Sequence, residues 1–182
     1  DDLGDLLYLL DKNITLALQD ARKDLCFVHG GAVLAADGRA LVLTAASGSG
    51  KSTATWALLH HGFGYLSDEL APIDPGSLQV FSYPHALCLK RRPPAPYPLP
   101  AETLVTTRSL HVPVTGSPAP ARLAAIFFVD HRYPENQPIV TELSPARAAM
   151  HLYANTLNPL AHHNDGLDAV AAITQNVPSY NL

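Results

Sequence analysis

The sequence has few cysteines and no excess of charge of one sign. Cys26 and Cys88 are the only two cysteines among 182 residues. A secreted domain built on disulfides is therefore not indicated, and we expect two free thiols in a reducing cytoplasm. Lys and Arg together number 12 against 16 Asp and Glu, for a formal charge of −4. Without a basic excess, a nucleic-acid surface is not expected.

Long hydrophobic runs are lacking as well. No apolar run is long enough to cross a bilayer, and the opening residues lack the pattern of a secretory signal peptide, so we expect no membrane partner. The chain does have 47% hydrophobic and 15% charged residues, a balance typical of globular rather than disordered chains. Its length suits a single domain over residues 1–182 with a real core.

The order of the predicted elements indicates a mixed α/β domain. Apolar positions at helical spacing over residues 2–21 predict one or two amphipathic helices in an N-terminal segment, 1–24. Asp37-Gly38 lies between two apolar runs and predicts a β-hairpin, because both residues tolerate positive φ. We expect strands at 25–36, 40–44, 63–66, 70–73, 78–82, 86–89, 123–130 (central), 138–143 and 179–182, helices at 51–61, 145–156 and 167–175, and proline-containing loops at 91–100 and 109–121.

Residues 45–53 read Ala-Ala-Ser-Gly-Ser-Gly-Lys-Ser-Thr, which matches the phosphate-binding P-loop G-x-x-x-x-G-K-[ST] except for Ala45 at the first glycine. In such a loop, successive backbone N–H groups and the start of the next helix hold phosphate oxygens. Lys51 would reach the β- and γ-phosphates, and the Ser52 hydroxyl would ligate Mg²⁺. We therefore expect ATP and Mg²⁺ as cofactors, bound by Ala46, Ser47, Gly48, Ser49, Gly50, Lys51, Ser52 and Thr53.

Two acidic residues follow the predicted P-loop helix closely, at the end of a short apolar strand. Asp68 and Glu69 stand where a carboxylate could hold the metal or its water. Because neighbouring side chains on an extended chain point to opposite sides, one acid could face the metal and the other the phosphate acceptor, unless a bend brings both in. The alternative interpretation is a solvated turn after a strand.

These features together resemble the HPr kinase/phosphorylase family. The matching residues are His29-Gly30-Gly31-Ala32-Val33-Leu34, then Gly38, the loop at 45–53 and Ser67-Asp68-Glu69. The resemblance covers residues 25–90 and implies a P-loop-containing mixed sheet flanked by helices, similar to the nucleotide-binding core of phosphoenolpyruvate carboxykinase. The Ser-Asp-Glu variant is closer to HPr kinase-related proteins, some of which occur beside genes for ribosomally made peptides and phosphorylate a peptide serine.

The resemblance implies a role for each of the matching polar residues. Asp68 corresponds to the general base on the acceptor hydroxyl, and His29 to a histidine that orients this acid or tunes its pKa. Glu69 corresponds to the second acid, which together with Ser52 lies near the metal. The family has Asp where this chain has Glu69, a change that alters the reach to the metal or interposes a water.

A basic residue, Lys90, follows the predicted strand 86–89, and Arg91 and Arg92 extend the patch. A lysine here could neutralise the transferring phosphate or the charge of the acceptor, so we include it among the catalytic candidates. The alternative is a solvated strand end before an exposed loop.

The sequence therefore predicts an ATP-dependent kinase that transfers the γ-phosphoryl group to a serine or threonine hydroxyl of a peptide or small protein. Two alternatives remain open. One is a kinase for a small-molecule hydroxyl on the same fold. The other is a non-catalytic nucleotide-binding module, for which the departures at Ala45 and Glu69 are the reason. The family resemblance also implies assembly into a homo-oligomer.

Overall fold

The computed structural model describes residues 2–83, 85–117, 119–130 and 138–182, so the first residue of the expected N-terminal segment lies outside the described residues. The helices are α1 (Asp2–Ala21), α2 (Lys51–His60), α3 (Pro145–Ala154) and α4 (Leu167–Asn176), with short 3-10 helices at Pro159–Ala161 and His163–Gly166. The strands are β1 (Cys26–Val28), β2 (Gly30–Leu34), β3 (Ala40–Thr44), β4 (Gly64–Ser67), β5 (Ala71–Ile73), β6 (Gln79–Val80), β7 (Leu87–Leu89), β8 (Leu104–Val105), β9 (Leu110–Val112), β10 (Ala121–Phe128), β11 (Thr141–Glu142) and β12 (Ser179–Asn181). The predicted mixed α/β class is confirmed.

The larger sheet is mixed and curls on itself. Its strands follow the order β1-β5-β6-β10-β3-β2-β4, and β12 and β11 extend it beside β10. β10 runs parallel to β3 and β12 and antiparallel to β6, which confirms the predicted central position of this strand. Because β1 runs on into β2, and β4 leads into β5, the chain itself joins the two ends of the sheet.

The predicted hairpin is present between β2 and β3. The two strands pair antiparallel from Gly30 opposite Thr44 to Leu34 opposite Ala40, and Gly38 in the turn has φ 80°, which favours glycine. The strand expected over 25–36 is interrupted at one residue. The His29 N–H donates to the carbonyl of Asn155 at 2.7 Å, so β1 ends and β2 begins there.

A second, smaller sheet was only partly predicted. It contains β7, β9 and β8 in that order, all antiparallel, and the sequence indicated the first of these alone. β9 lies within the stretch 109–121 that predicted a loop. Strands of two or three residues are too short to show a period-two pattern, so pairing rather than local sequence defines them.

The helices agree closely with the sequence, since their boundaries depend on local chemistry. α1 is a single helix, α2 ends just before Gly62 with φ 87°, and the Ser144 hydroxyl caps α3 by accepting from the Arg147 N–H. The strand expected at 138–143 is reduced to β11. In the described residues, no helix combines the length and apolar character needed to cross a bilayer.

Three groups of buried side chains position the site. The largest lies between the curled sheet and α3 with α4, and a second joins α2 to the small sheet through Trp56, Tyr65 and Leu87. A third connects the end of α1 to β1 through Leu18 and Phe27. Both cysteines are free thiols, as the sequence predicts.

Candidate functional site

The loop at residues 45–50 connects β3 to α2 and exposes backbone N–H groups at the start of a helix. Gly48 and Gly50 have φ values of 89° and 91°, a left-handed conformation that glycine adopts without strain. The Ser49 hydroxyl donates to the Ala46 carbonyl at 2.7 Å. Gly50 precedes α2 and provides no side-chain cap for its first turn, so these N–H groups can bind an anion.

Ala45, the departure from the P-loop pattern, needs no glycine-specific conformation. Non-glycine residues with positive φ in the described chain are Glu69, Leu78, Asn164 and Asp165, so the backbone of Ala45 is open to any L residue. Its side chain is buried, and its carbonyl accepts a hydrogen bond from Lys51 at 2.9 Å. The alanine therefore fits this loop geometry.

Lys51 lies beneath the loop and is only 7% exposed. Its ammonium donates to the carbonyls of Ala45 and Ala46 at 2.9 and 3.1 Å. Removal from water lowers the pKa of Lys51, and the nearby Glu69 and Asp68 carboxylates oppose that shift. A cation held in this way lies at the base of the loop, next to the backbone N–H groups.

The contacts of His29 determine its tautomer. Its Nδ1 lies 3.2 Å from the carbonyl oxygen of Glu69, which can only accept, and its Nε2 lies 3.3 Å from the Lys51 ammonium, which can only donate. Both contacts are satisfied by a neutral ring with the proton on Nδ1. His29 thus links the lysine to the backbone of the acidic pair.

Asp68 is the buried member of the acidic pair, with 1% exposure. One carboxylate oxygen accepts from the Ser52 hydroxyl at 3.1 Å, and the other accepts from the Cys88 N–H at 3.1 Å. Burial, followed by the charge of Glu69, raises the pKa of Asp68 to about 6, although both hydrogen bonds act in the opposite direction. Asp68 is therefore a buried carboxyl group whose pKa lies closer to neutral pH than that of an exposed aspartate.

Glu69 is the accessible member of the pair. Its φ of 66° is a left-handed conformation that costs a non-glycine residue on the order of 1–3 kcal/mol. One of its carboxylate oxygens lies 3.7 Å from His29 Nδ1. The bend at Glu69, which the sequence left open, separates the surroundings of the two acids.

A gap between two ladders brings these residues together. β1 pairs with β5 up to Val28 opposite Ala71, and β2 pairs with β4 from Ala32 opposite Ser67. Between these ladders, residues 29–31 and residues 68–70 do not pair with each other, although Gly30 and Gly31 pair with β3 on their other side. The adjoining β2–β4 register shifts by one residue, a bulge of the kind found beside active sites.

Two glycines in this gap allow the neighbouring backbone and α2 to approach. A Cβ on Gly30 would lie 2.5 Å from the carbonyl oxygen of Leu43, and one on Gly31 would lie 2.5 Å from Thr55 Oγ1. Both distances are shorter than van der Waals contact allows. The His-Gly-Gly sequence therefore combines a polar side chain with room for the helix that follows the loop.

The predicted residues meet around one cavity of about 250 Å³. Lys90 joins it from the end of β7, where its ammonium donates to the Ser47 hydroxyl at 2.8 Å. Asp68 lies behind the cavity wall, while Ala46, Ser49 and Arg92 are outside the lining. The lining residues are His29, Ser47, Gly48, Gly50, Lys51, Ser52, Thr53, Glu69, Cys88, Leu89, Lys90 and Arg91.

Sequence reasoning missed the contribution of Cys88. Its backbone N–H holds the Asp68 carboxylate, and its thiol lies 3.4 Å from His111 Nδ1. Burial raises the pKa of this thiol to about 12, with further contributions from nearby carboxylates, so the reactive thiolate form is disfavoured here. A backbone N–H has no residue-specific signal, so only the position of β7 beside Asp68 could reveal this contact.

The oxygen atoms near the loop fit a magnesium ion better than a metal bound entirely by protein. In the described residues, no three His, Cys, Asp or Glu side chains gather as a metal site. Mg²⁺ needs only one or two carboxylates, since phosphates and water complete its shell. The Ser52 hydroxyl and the adjacent carboxylates of Asp68 and Glu69 supply that chemistry.

Comparison with known proteins assigns no family to this chain. No protein-family model matches the chain, and a search of the curated proteins found no significant match. What the site does must therefore be inferred from its residues and their contacts.

Proposed function

We propose that this chain is an ATP-dependent phosphotransferase that acts on a serine or threonine hydroxyl of a peptide or small protein, on a P-loop-containing, HPr kinase-like core. One observation carries the proposal. An anion-binding loop, the buried Lys51 and Glu69 line a single cavity, and Asp68 lies behind its wall, where it accepts a hydrogen bond from Ser52. A lysine ammonium, backbone N–H donors and carboxylates placed near one another suit the binding and transfer of a phosphoryl group.

Phosphate binding is assigned to the loop and the start of α2. The N–H groups at residues 47–52 and the positive end of the helix dipole would hold the β- and γ-phosphates. Lys51 already lies at the base of this loop and would exchange carbonyl partners for phosphate oxygens. Lys90, tethered to Ser47, would add positive charge at the cavity mouth.

In the transfer step, the acceptor hydroxyl oxygen attacks the γ-phosphorus. A new O–P bond forms as the bond from the γ-phosphorus to the bridging oxygen breaks, and ADP leaves with that electron pair. The hydroxyl proton passes to a carboxylate of the acidic pair. Bound Mg²⁺, held by Ser52 and Glu69, would neutralise charge on the phosphates.

Asp68 is the first candidate for the group that takes the proton. The HPr kinase resemblance assigns it this role, and its raised pKa of about 6 suits proton transfer near neutral pH. Its hydrogen bond to Ser52 also keeps the carboxylate next to the loop.

Glu69 is the second candidate, and its exposure favours it. Its side chain lines the cavity, whereas Asp68 is 1% exposed and would need local movement to meet a hydroxyl. In this arrangement Glu69 would be the general base. Asp68 would be the acid near the metal and would act through its hydrogen bond with Ser52.

The experiment is an assay of purified protein with isotopically labelled ATP, Mg²⁺ and a library of serine and threonine peptides. Phosphopeptides are expected as products, with Asp68→Asn and Glu69→Gln as variants and calorimetry to measure ATP binding. A lost base lowers kcat at any Mg²⁺ concentration, whereas a lost metal ligand is rescued by added Mg²⁺. If either variant transfers phosphate as fast as the wild type, that residue is not the base.

The same assay addresses the alternatives. If the assay is repeated with a set of hydroxylated metabolites, a phosphorylated metabolite together with no phosphopeptide would indicate the small-molecule kinase. ATP binding without any product would indicate a nucleotide-binding module, and no ATP binding at all would contradict all three functions. A cytoplasmic location and a homo-oligomer remain predictions of the sequence.

A further inference from the structure

A second cavity, of about 700 Å³, lies between α1 and the small sheet. We call it the α1 groove. It shares Ser47, Glu69, Cys88 and Lys90 with the candidate phosphate cavity. The two cavities are therefore adjacent, and Glu69 is one of the residues that line both.

One face of α1 forms the apolar wall of the groove. Leu7, Leu10 and Ile14 follow one another at intervals of three and four residues, the spacing that places side chains along one side of a helix. From Gly4 to Ile14 this wall is roughly 15 Å long. That length accommodates about four or five residues of an extended peptide.

Polar contacts hold α1 over the groove. Asp5 accepts a hydrogen bond from the Arg108 guanidinium at 2.7 Å, and the Asp11 carboxylate lies 3.0 Å from His85 Nε2. The same guanidinium lies 4.9 Å from the centre of the Tyr8 ring. These charges are paired within the chain, so the groove is mainly apolar along α1, and Glu69 and Lys90 add charge where it adjoins the first cavity.

The apolar wall is accessible in the described structure. Leu10 is 49% exposed and Ile14 is 57% exposed, although both line a concave site. An extended chain in the groove would cover this surface, and a serine or threonine at its inner end would lie beside Glu69. A small hydroxylated molecule would leave most of the wall uncovered.

We propose that the α1 groove binds the phosphate acceptor as an extended peptide with apolar side chains next to the modified serine or threonine. This inference rests on the proposed kinase function, because it assigns the acceptor of the same site. Apolar residues of the peptide pack against Leu7, Leu10 and Ile14. The peptide hydroxyl reaches the junction where the two cavities share Glu69.

The test compares two adjacent leucines on the same helix. Leu10 lines the groove and Leu9 does not, yet their exposures are 49% and 54%. We expect Leu10→Ser to raise KM for hexapeptides with Leu or Val beside serine about tenfold, the usual effect of a lost leucine contact. The kcat and ATP affinity should be retained, and Leu9→Ser should behave as the wild type.

Direct binding separates this inference from the kinase proposal. Fluorescein-labelled hexapeptides, apolar or Gln-rich beside the serine, are titrated with protein, ADP and Mg²⁺, and anisotropy is measured. Selective binding of the apolar peptides that Leu10→Ser alone weakens supports the groove, even if no phosphate is transferred. Equal binding of both peptide sets, equal behaviour of the two variants, or a change in ATP affinity with Leu10→Ser would overturn it.

Discussion

At the scale of single residues, the two adjacent acids occupy very different environments. Asp68 is buried against Ser52 and the Cys88 N–H, whereas Glu69 is bent outward with φ 66°. Strict alternation along a strand would only have placed them on opposite sides. Because of the bend, Asp68 lies beside the loop and Glu69 lines both cavities.

Replacing the buried Asp68 by asparagine should change activity and stability in opposite directions. We expect Asp68→Asn to lower phosphoryl transfer by at least about 10²-fold, while the free energy of unfolding without nucleotide rises by about 1–3 kcal/mol at pH 7. The stabilisation follows because the charged form of Asp68 is costly where it is buried. Transfer assays and denaturant titrations measure the two effects.

The pH dependence of this stabilisation has a defined sign. The pKa of Asp68 is raised to about 6 in the folded chain, against about 3.9 when unfolded. The folded wild type therefore binds more protons between these values and loses stability as the pH rises through this window. The gain from Asp68→Asn should be absent below pH 4, and a gain that persists there would contradict this origin.

Restoring the consensus glycine should bring no benefit to the loop. We expect Ala45→Gly to destabilise the fold by about 0.5–1 kcal/mol through chain entropy and to leave ATP affinity unchanged, because Ala45 has no positive φ. Gly50→Ala, at φ 91°, should weaken ATP binding instead. Calorimetry compares them, and tighter ATP binding by Ala45→Gly would show that the alanine strains the loop.

At the scale of elements, α2 approaches β2 because a glycine faces a threonine. A Cβ at position 31 would lie 2.5 Å from Thr55 Oγ1, and that buried hydroxyl has no hydrogen-bond partner among the described residues. We expect Gly31→Ala to cost about 1–3 kcal/mol of unfolding free energy. Thr55→Ala alone should cost less, and the pair should recover most of the loss.

A double-mutant cycle with denaturant unfolding measures this recovery. A favourable coupling of about 0.5 kcal/mol or more between Gly31→Ala and Thr55→Ala indicates a direct clash. Additive effects would mean that Thr55 Oγ1 is not the source of the strain.

The contact between Asp11 and His85, which holds α1 against the small sheet, should respond to pH. A hydrogen bond to Asp11 raises the pKa of His85, with added attraction from Asp68 and Glu69, while burial acts against it. Because the folded pKa lies above the unfolded value of about 6.5, the stabilisation is complete below that value. It is lost as the pH rises through the higher pKa of folded His85.

Hydrogen exchange of the α1 amides, corrected for the pH dependence of the intrinsic exchange rate, measures how firmly the contact between Asp11 and His85 holds the helix. Protection in α1 should fall in the wild type as the pH rises above about 6.5, through the raised pKa of folded His85. The variant Asp11→Asn should show lower protection at pH 6 and little change with pH. Constant protection in the wild type would mean that the contact of Asp11 with His85 does not hold the helix.

At the scale of the whole molecule, protection should be centred on β10. This strand pairs with three others, and Ile126 is fully buried, whereas α1 keeps half-exposed leucines. We expect the amides of β10 to exchange only on global unfolding and those of α1 to exchange through smaller openings. Mass spectrometry of exchanging protein tests this order, and equal protection of α1 and β10 would contradict it.

Much of the fold and of the loop at residues 45–50 follows from local chemistry. The Asp37-Gly38 hairpin, the helix ends at Gly62 and Ser144 and the apolar strand β10 were predicted because turn conformation, capping and hydrophobicity act within a few residues. The same is true of the glycines in the loop. The grouping of His29 with Asp68 and Glu69 came from family resemblance, since no local rule connects positions 40 residues apart.

By itself, the sequence determined the helices, the hairpin, the central strand and a loop with anion-binding chemistry, because each depends on neighbouring residues. Tertiary structure decided the rest. Curling of the sheet brings His29 against Glu69, the position of β7 beside Asp68 presents the Cys88 N–H to that carboxylate, and α1 forms one wall of the groove. Contacts between distant segments depend on how whole elements pack, and that packing has no signature in a short stretch of sequence.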